Sequence, residues 1–362
     1  MNKTFCIWVR AAMLPAIFFL HSCAPPGTVD PESALTLVIA AEPSTKASDV
    51  TLQNWERQVN RLQILLFSDG RLARYESLLP GSFPCSRSYA SLREGTYHAY
   101  AVANGPDLDG ILYENAFAST SVSLSDCSLD PSKGFVMVAA DTVTLGGGAS
   151  RTLSLSLRRL VARFRLVSIE NQVPDAYSDG GRIQILGVYL ANAPGTWNIA
   201  GSGSASGWVN LGGRAAGKQG SSQSEYYISS PSQVNPEACR DLVFRQLAIS
   251  MAQGVRRELD GCLLYCFPNS VAIDQTGPVA DAGRGAWTRL VLLAQVNDRL
   301  WWYPLNLFPD GQGPDPNLSY DVRLMLRATG SSDPNEPVGP GTLAAVMSCT
   351  GWQSGVSYTE LL

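Results

Sequence analysis

The feature that most constrains this chain is a two-residue alternation of apolar and polar side chains. It is clearest in residues 152–157, where leucines alternate strictly with hydroxyl residues. Because successive side chains of a β-strand point to opposite faces, this pattern predicts a strand that is buried on one side. Residues 161–167 alternate again, with two arginines on one face and Phe164 and Leu166 on the other. Helical periodicity is scarce, apart from a weak pattern at residues 49–57, so an all-β fold is predicted.

Further segments of strand length occur along the chain. They are residues 34–41, 61–68, 96–103, 135–139, 183–190, 242–251, 262–267, 289–296, 320–326 and 342–347. The first is almost continuously apolar, which is typical of a strand covered on both faces. Loops rich in Gly, Ser, Pro and Asp separate the strands, notably at residues 201–220 and 330–341. Many short strands joined by such loops favour Greek-key β-sandwiches over βαβ units.

The N-terminal segment has the pattern of an export signal. A basic start precedes residues 11–20, an apolar stretch too short to span a bilayer. The stretch ends at Leu20-His21-Ser22-Cys23, which resembles the lipobox of bacterial lipoproteins. We expect residues 1–22 to be removed as a signal peptide and Cys23 to be acylated, for example with palmitate. Acyl chains would make the protein a membrane-anchored lipoprotein; the alternative is an ordinary signal peptide with an incidental cysteine.

Length and composition narrow the organisation and the possible partners. Of the 362 residues, 340 remain after removal of a 22-residue signal. This is more than a single hydrophobic core normally supports, so two domains are predicted. We place a linker at residues 23–33, an N-terminal β-sandwich at 34–159 and a C-terminal β-sandwich at 160–362. A net charge of −4 with 16% charged residues does not favour nucleic acid as a partner.

The chain is poor in the residue combinations that catalysis and metal binding require. Its two histidines are His21, within the signal, and His98, within an alternating segment that predicts a strand. One histidine does not make a zinc site with scattered cysteines, and no Asp or Glu is marked as half of a catalytic pair. Gly146-Gly147-Gly148 lacks the Lys-Ser/Thr of a phosphate loop and is interpreted as a hairpin turn. We therefore expect no enzyme activity, no metal and no cofactor.

The cysteines leave two interpretations open. Setting aside Cys6 and Cys23, an even number remains: Cys85, Cys127, Cys239, Cys262, Cys266 and Cys349. Export would permit disulfides, but their connectivity does not follow from the sequence. Cys262 and Cys266 would face the same side of a strand, where buried thiols are as reasonable as bonded ones.

An ordered series of short motifs resembles the fimbrillin family, the type V pilins of Gram-negative anaerobes. In the first half these are the lipobox cysteine, the apolar strand ending at Ala41, Gly95-Thr96-Tyr97 leading to Val102-Ala103-Asn104, and Phe135-Val136-Met137. In the second half they are Arg159-Leu160-Val161-Ala162-Arg163, Gly187 to Ala193, Phe267-Pro268-Asn269, Trp302-Tyr303-Pro304-Leu305, Asn317 to Tyr320, Thr350-Gly351-Trp352 and Tyr358 to Leu361. The order of the motifs over nearly the whole chain carries the resemblance.

The resemblance implies two transthyretin-like β-sandwich domains in tandem and assembly by donor-strand exchange. In such pilins a trypsin-like protease removes the first strand, and a strand of the next subunit fills the groove. Here Leu35, Leu37 and Ile39 would be the groove-filling residues, although permanent core residues are an equal alternative. The loop after this strand carries Lys46, followed by Ala47, where the family typically has arginine. An arginine-specific protease would leave Lys46 intact, and an uncut first strand suits an anchor subunit.

Two functions from different classes follow. The first is a structural or anchoring subunit of a surface fimbrium, with other fimbrial subunits and the outer membrane as partners and adhesion as the outcome. The second is a carbohydrate-binding surface lipoprotein, with Trp197, Trp208, Trp301 and Trp302 as the candidate aromatic residues. Because Trp301 and Trp302 are adjacent, at most one of them can join a flat sugar platform.

Overall fold

A computed structural model gives the structure of the chain. It describes residues 32–41, 53–175, 180, 182–201, 206–215, 227–269, 287–308, 313–351 and 357–361. These residues form strands joined by loops and a few short helical turns, which confirms the predicted all-β class. In the part of the chain that the structure describes, no helix has both the length and the apolar character needed to cross a membrane.

The first half of the chain contains eight strands and two short helices. In chain order they are β1 (Ser33–Ala41), α1 (Asn54–Arg57), β2 (Leu62–Ser68), β3 (Arg71–Leu78), β4 (Cys85–Leu92), β5 (Gly95–Ala103), α2 (Glu114–Ala118), β6 (Ser121–Ser123), β7 (Met137–Leu145) and β8 (Ser150–Arg159). α1 is a single turn, closed at its start by a 2.6 Å hydrogen bond from the backbone N–H of Gln53 to Glu56 Oε2.

Seven of these strands build the first β-sandwich. They follow the order β3-β2-β5-β7-β8-β1-β4. β7 and β8 are joined by only two residue pairs, Met137 with Arg159 and Val138 with Arg158. At this seam the strands divide into a four-stranded layer, β3-β2-β5-β7, and a three-stranded layer, β8-β1-β4. Inward side chains of both layers fill one core that includes Leu35, Leu37, Ile39, Leu62, Ile64, Leu66, Tyr97, Ala99, Ala101, Met137, Leu155 and Leu157.

The second half contains eleven strands and one short α-helix among its described residues. They are β9 (Ala162–Asn171), β10 (Ile183–Ala191), β11 (Thr196–Asn198), α3 (Arg240–Val243), β12 (Phe244–Met251), β13 (Arg256–Glu258), β14 (Leu263–Cys266), β15 (Arg289–Val296), β16 (Arg299–Asn306), β17 (Leu318–Leu326), β18 (Leu343–Gly351) and β19 (Ser357–Leu361). One sheet has the order β12-β10-β15-β16, and the other has the order β13-β9-β17-β18-β19, with β14 also paired to β9.

The two halves repeat one strand topology. β1 is antiparallel to β4 and parallel to β8, and β9 is likewise antiparallel to β13 and β14 and parallel to β17. The order β12-β10-β15-β16 in the second half repeats β3-β2-β5-β7 in the first. The β18–β19 hairpin is an addition to the second half. The repeat divides the strands between β8 and β9, while the domain boundaries given above stay a prediction.

The halves share a second, larger core. Leu65 and Phe67 lie on the face of β2 that points away from the first core, and they join a cluster that continues through the second half. At the junction, the rings of Phe135 and Tyr265 meet edge to face with their centroids 4.7 Å apart. β6 also pairs with β11, so backbone hydrogen bonds connect the halves as well.

A buried ion pair ties α1 to the second half. Glu56, which has no exposed surface, accepts hydrogen bonds from Arg163 Nη1 at 3.0 and 3.1 Å and from the Tyr265 hydroxyl at 3.0 Å. Arg163 also donates from Nε to Ser319 Oγ at 2.9 Å. The backbone carbonyl of Glu56 accepts a further bond from Arg159. Glu56 of α1 is therefore held by charged and neutral hydrogen bonds from two strands of the second half, β9 and β14, and from one strand of the first, β8.

Most predicted strands coincide with observed ones. The segment at residues 289–296 is β15, and the alternating segment at residues 152–157 lies inside β8 with Leu155 and Leu157 buried. The segment at residues 242–251 was too long, because its first two residues belong to α3 and the strand begins at Phe244. The edge strands β3 and β4 were not predicted, because their inward positions carry several polar and only partly buried residues.

Replacing Glu56 by Gln should destabilise the protein strongly. The change removes the carboxylate that faces the buried Arg163 guanidinium, and breaking a buried pair costs on the order of 3–5 kcal/mol. Denaturant unfolding of the full chain measures the effect. Glu258→Gln is the matched control, since Glu258 pairs with Arg256 at 2.8 Å on an exposed surface and should contribute under about 1 kcal/mol. Equal losses in the two variants would contradict this role of Glu56.

Candidate functional site

The candidate site is the place that β1 occupies in the three-stranded layer. On one side β1 pairs antiparallel with β4, and on the other it pairs parallel with β8 over eight residue pairs from Ala34 to Ala41. Among the described residues, β4 pairs with β1 alone, and β8 has only the two pairs with β7 besides. Both neighbours therefore take nearly all their strand hydrogen bonds from β1.

The three predicted groove-filling residues lie together on the inward face of β1. Leu35, Leu37 and Ile39 have no exposed surface and pack in the first core against side chains of β2, β5, β7 and β8. Full burial of a leucine or isoleucine side chain contributes about 1.5–3 kcal/mol. β1 is thus a nine-residue segment that joins two edges by its backbone and closes a core with three alternate side chains.

The outward face of β1 is open to solvent, which corrects the prediction of a strand covered on both faces. Val38 is 38% exposed, and Thr36 is half-buried. Thr36 Oγ1 lies 2.9 Å from Ser88 Oγ of β4. On this face Val38 lies between Ser86 of β4 and Ser154 of β8, and no further layer of the described residues covers it. The apolar run of the sequence therefore concealed an ordinary one-sided strand.

The start of β1 is fixed to the turn between β7 and β8. Ser33 Oγ donates to the carbonyl of Gly146 at 2.7 Å, and the N–H of Ala34 donates to the carbonyl of Ala149 at 2.9 Å. Gly146–Gly148 is therefore a turn, as predicted, but it connects the two layers of the sandwich and seats β1 rather than closing a tight hairpin. Cys23, Lys46 and Ala47 lie outside the described residues, so acylation and cleavage stay predictions.

His98 is a residue of β5, as its alternating segment predicts. Its Nδ1 lies 2.7 Å from Glu114 Oε1, and the Tyr100 hydroxyl donates to the same oxygen at 2.7 Å. Burial acts to raise the pKa of the Glu114 carboxyl, but the hydrogen bonds from Tyr100 and His98 outweigh it and leave the pKa lower than usual. Because Glu114 is the first residue of α2, this contact fixes α2 to the outer face of β5.

The six cysteines in the described residues are free thiols. Cys262 and Cys266 are both buried, which agrees with the interpretation as core thiols, and burial raises the pKa of Cys262 to about 11. Among the described residues, no group of three or more His, Cys, Asp or Glu side chains is placed to hold a metal ion.

The four tryptophans proposed for a sugar platform differ in their burial. Trp302 is fully buried and donates from Nε1 to the carbonyl of Ile228 at 3.0 Å, and Trp197 is buried as well. Trp208 and Trp301 are each half-buried. Of the two adjacent tryptophans, one is therefore a core residue, as the alternation predicts.

Comparison with known proteins places this geometry among solved structures. No protein-family model and no curated protein sequence matches the chain. A solved fimbrillin from Porphyromonas gingivalis superposes with a TM-score of 0.60 at 13% identity, over 89% of this chain and 98% of that one. The chain has the fimbrillin fold.

Two further structures extend this likeness. A candidate cell adhesion protein from Parabacteroides distasonis has a TM-score of 0.58 at 16% identity, over 90% of this chain and all of that one. Another from Bacteroides eggerthii has a TM-score of 0.56 at 17% identity, over 89% of this chain and 97% of that one. At these identities the likeness is one of fold. It confirms the resemblance that the ordered motifs indicated, and function is argued separately below.

Replacing Leu37 by Ala should lower the stability of the full chain by about 2–5 kcal/mol, because it leaves a cavity in the middle of the first core. Val38→Ala is the matched control. Its side chain is next in sequence but lies on the exposed face, so we expect a change of about 0.5 kcal/mol or less. Thermal and denaturant unfolding measure both. Similar losses for the two variants would mean that β1 does not close the core as described.

Proposed function

We propose that the chain is a structural or anchoring subunit of a cell-surface fimbrium, assembled by donor-strand exchange and contributing to adhesion. The observation that carries the proposal is the position of β1. It is the middle strand of its layer, and it is the first described strand in chain order. It also contributes three alternate apolar side chains to the core. A segment of this kind can be replaced by another strand of the same pattern with the remaining fold kept, which is the β-augmentation mode of binding.

Cleavage after Lys46 would convert β1 from a covalently attached strand into a bound peptide. Before the cut, β1 competes for its groove at a very high effective concentration. After the cut, its occupancy depends on free concentration, so a strand carried by a neighbouring subunit can displace it. The partners in this scheme are a trypsin-like protease and other fimbrial subunits. A chain that keeps Lys46 uncut would retain β1 and end a fibre as its anchor.

Export and acylation of Cys23 complete the proposal. They would make the protein a surface-exposed lipoprotein of the outer membrane, with the N-terminal sandwich at residues 34–159 next to the anchor and the C-terminal one at residues 160–362 beyond it. The role is architectural and not enzymatic. The fold likeness to a fimbrillin and to candidate cell adhesion proteins supports this role.

Limited trypsin digestion of the folded, purified chain tests the processing step. We expect cleavage after Lys46, seen by intact mass, followed by loss of β1 and an oligomer ladder on a native gel. The Lys46→Ala variant should keep β1 and stay monomeric under the same digestion. A chain that is cut at Lys46, loses β1 and yet neither oligomerises nor takes up a peptide of residues 33–41 would contradict donor-strand exchange.

Labelling with an alkyne-bearing palmitate in a Gram-negative host tests the anchor. We expect the full chain to carry the label and to sediment with the membrane fraction. Cys23→Ser should lose both properties, whereas Cys85→Ser, which alters a cysteine of the folded part, should keep them. A labelled Cys23→Ser protein would overturn the assignment of the acylated residue.

A further inference from the structure

β4 is the strand whose pairing depends most on β1. Its described backbone pairing is with β1 alone, and the Thr36–Ser88 contact would leave with β1 as well. Leu92, at the far end of β4, is the only apolar side chain of this strand that is buried. Cys85 and Tyr89 are partly buried against the first core. If the proposed strand exchange takes place, something else must keep β4 beside the groove.

Glu76 of β3 makes the contact that can do this. Arg87 Nε donates to Glu76 Oε1 at 3.1 Å, and the Tyr89 hydroxyl donates to Glu76 Oε2 at 2.7 Å. β3 and β4 are the two outermost strands in the order of the first sandwich. One carboxylate therefore joins the free edges of the two layers and closes the open side of the sandwich.

Arg87 and Tyr89 each donate a hydrogen bond to one oxygen of the Glu76 carboxylate. Hydrogen bonds to an ionised carboxylate are stronger than neutral ones. Burial, and then the hydrogen bond to Glu76, raises the pKa of the Tyr89 phenol above its usual range, so the hydroxyl keeps its proton at neutral pH. The contact is partly exposed, with about a third of the Glu76 and Arg87 side chains in solvent, so its strength is moderate.

We propose that Glu76 is a positioning residue that holds β4 in place when β1 leaves, so that the vacated groove keeps two edges. Neighbouring strands lie about 4.8 Å apart, so β8 and β4 held in place leave a gap of about 9.6 Å, the width for one strand. An incoming strand then pairs on both sides. Without β4 it would meet only β8, and it would lose the hydrogen bonds of one whole edge. The part of this inference that rests on the proposed function is the entry of a second strand into the groove.

Hydrogen exchange of the full, uncut chain tests the grip of Glu76 on β4 directly. We expect the amides of residues 85–92 to exchange roughly three- to tenfold faster in Glu76→Gln than in wild type. Tyr89→Phe, which removes one hydroxyl and no charge, should raise the exchange of the same amides, and adding it to Glu76→Gln should add little. Glu258→Gln removes a carboxylate from an exposed ion pair in the second half and should leave β4 unchanged.

Peptide uptake after cleavage separates the two proposals. Cut wild-type protein should bind a fluorescent peptide of residues 33–41, and cut Glu76→Gln should bind it more weakly by a similar factor. Unchanged β4 exchange in Glu76→Gln, or equal peptide affinity in the two cut proteins, would overturn the role of Glu76. Faster hydrogen exchange of β4 in Glu76→Gln, with no peptide binding by either cut protein, would contradict donor-strand exchange. The same result would still support the role of Glu76 in holding β4.

Discussion

The first sandwich depends on a single strand at its N-terminal end. β1 supplies backbone partners to β4 on one side and β8 on the other, and Leu35, Leu37 and Ile39 close the core beneath them. Because β4 and most of β8 have no other described strand partner, the backbone pairing of the three-stranded layer is complete only when a strand occupies the position of β1. Hydrogen bonding and apolar burial thus converge on one short segment.

The second half repeats this topology, with the equivalent strand in the middle of the chain. β9 stands where β1 stands in the first half, yet it follows β8 directly and carries Arg163, whose guanidinium binds Glu56 in the shared interior. The β18–β19 hairpin further extends its layer. The same ion pair fixes α1, the first described element after β1. Removal of β1 would therefore leave the chain from α1 onward anchored to the second half.

The sequence was informative where one strand carries its own pattern. Leucines alternating with hydroxyls predict β8. The inward residues of β1 follow from the family resemblance, whereas its open outer face is not predicted, because Val38 continues the apolar run. β3 and β4 escaped because Glu76, Arg87 and Tyr89 replace apolar residues at inward positions beside the open side of the sandwich. The Glu56–Arg163 pair joins residues 107 positions apart, and a local sequence pattern does not predict a contact at that distance along the chain. Arg163 stood in a motif that carried the family resemblance, which was the one available signal.

A reversible lock on β1 tests most directly whether this strand is exchangeable. Ile39 lies opposite Cys85 in the antiparallel β1–β4 pair, at a Cα separation of about 4.5–5.5 Å for such pairs, which a disulfide can span. The measurement is uptake of a labelled peptide of residues 33–41 by Ile39→Cys protein cut after Lys46, with the lock oxidised and then reduced. The account predicts no uptake when oxidised and uptake when reduced. Equal uptake in both states, or none in either, would contradict an exchangeable first strand.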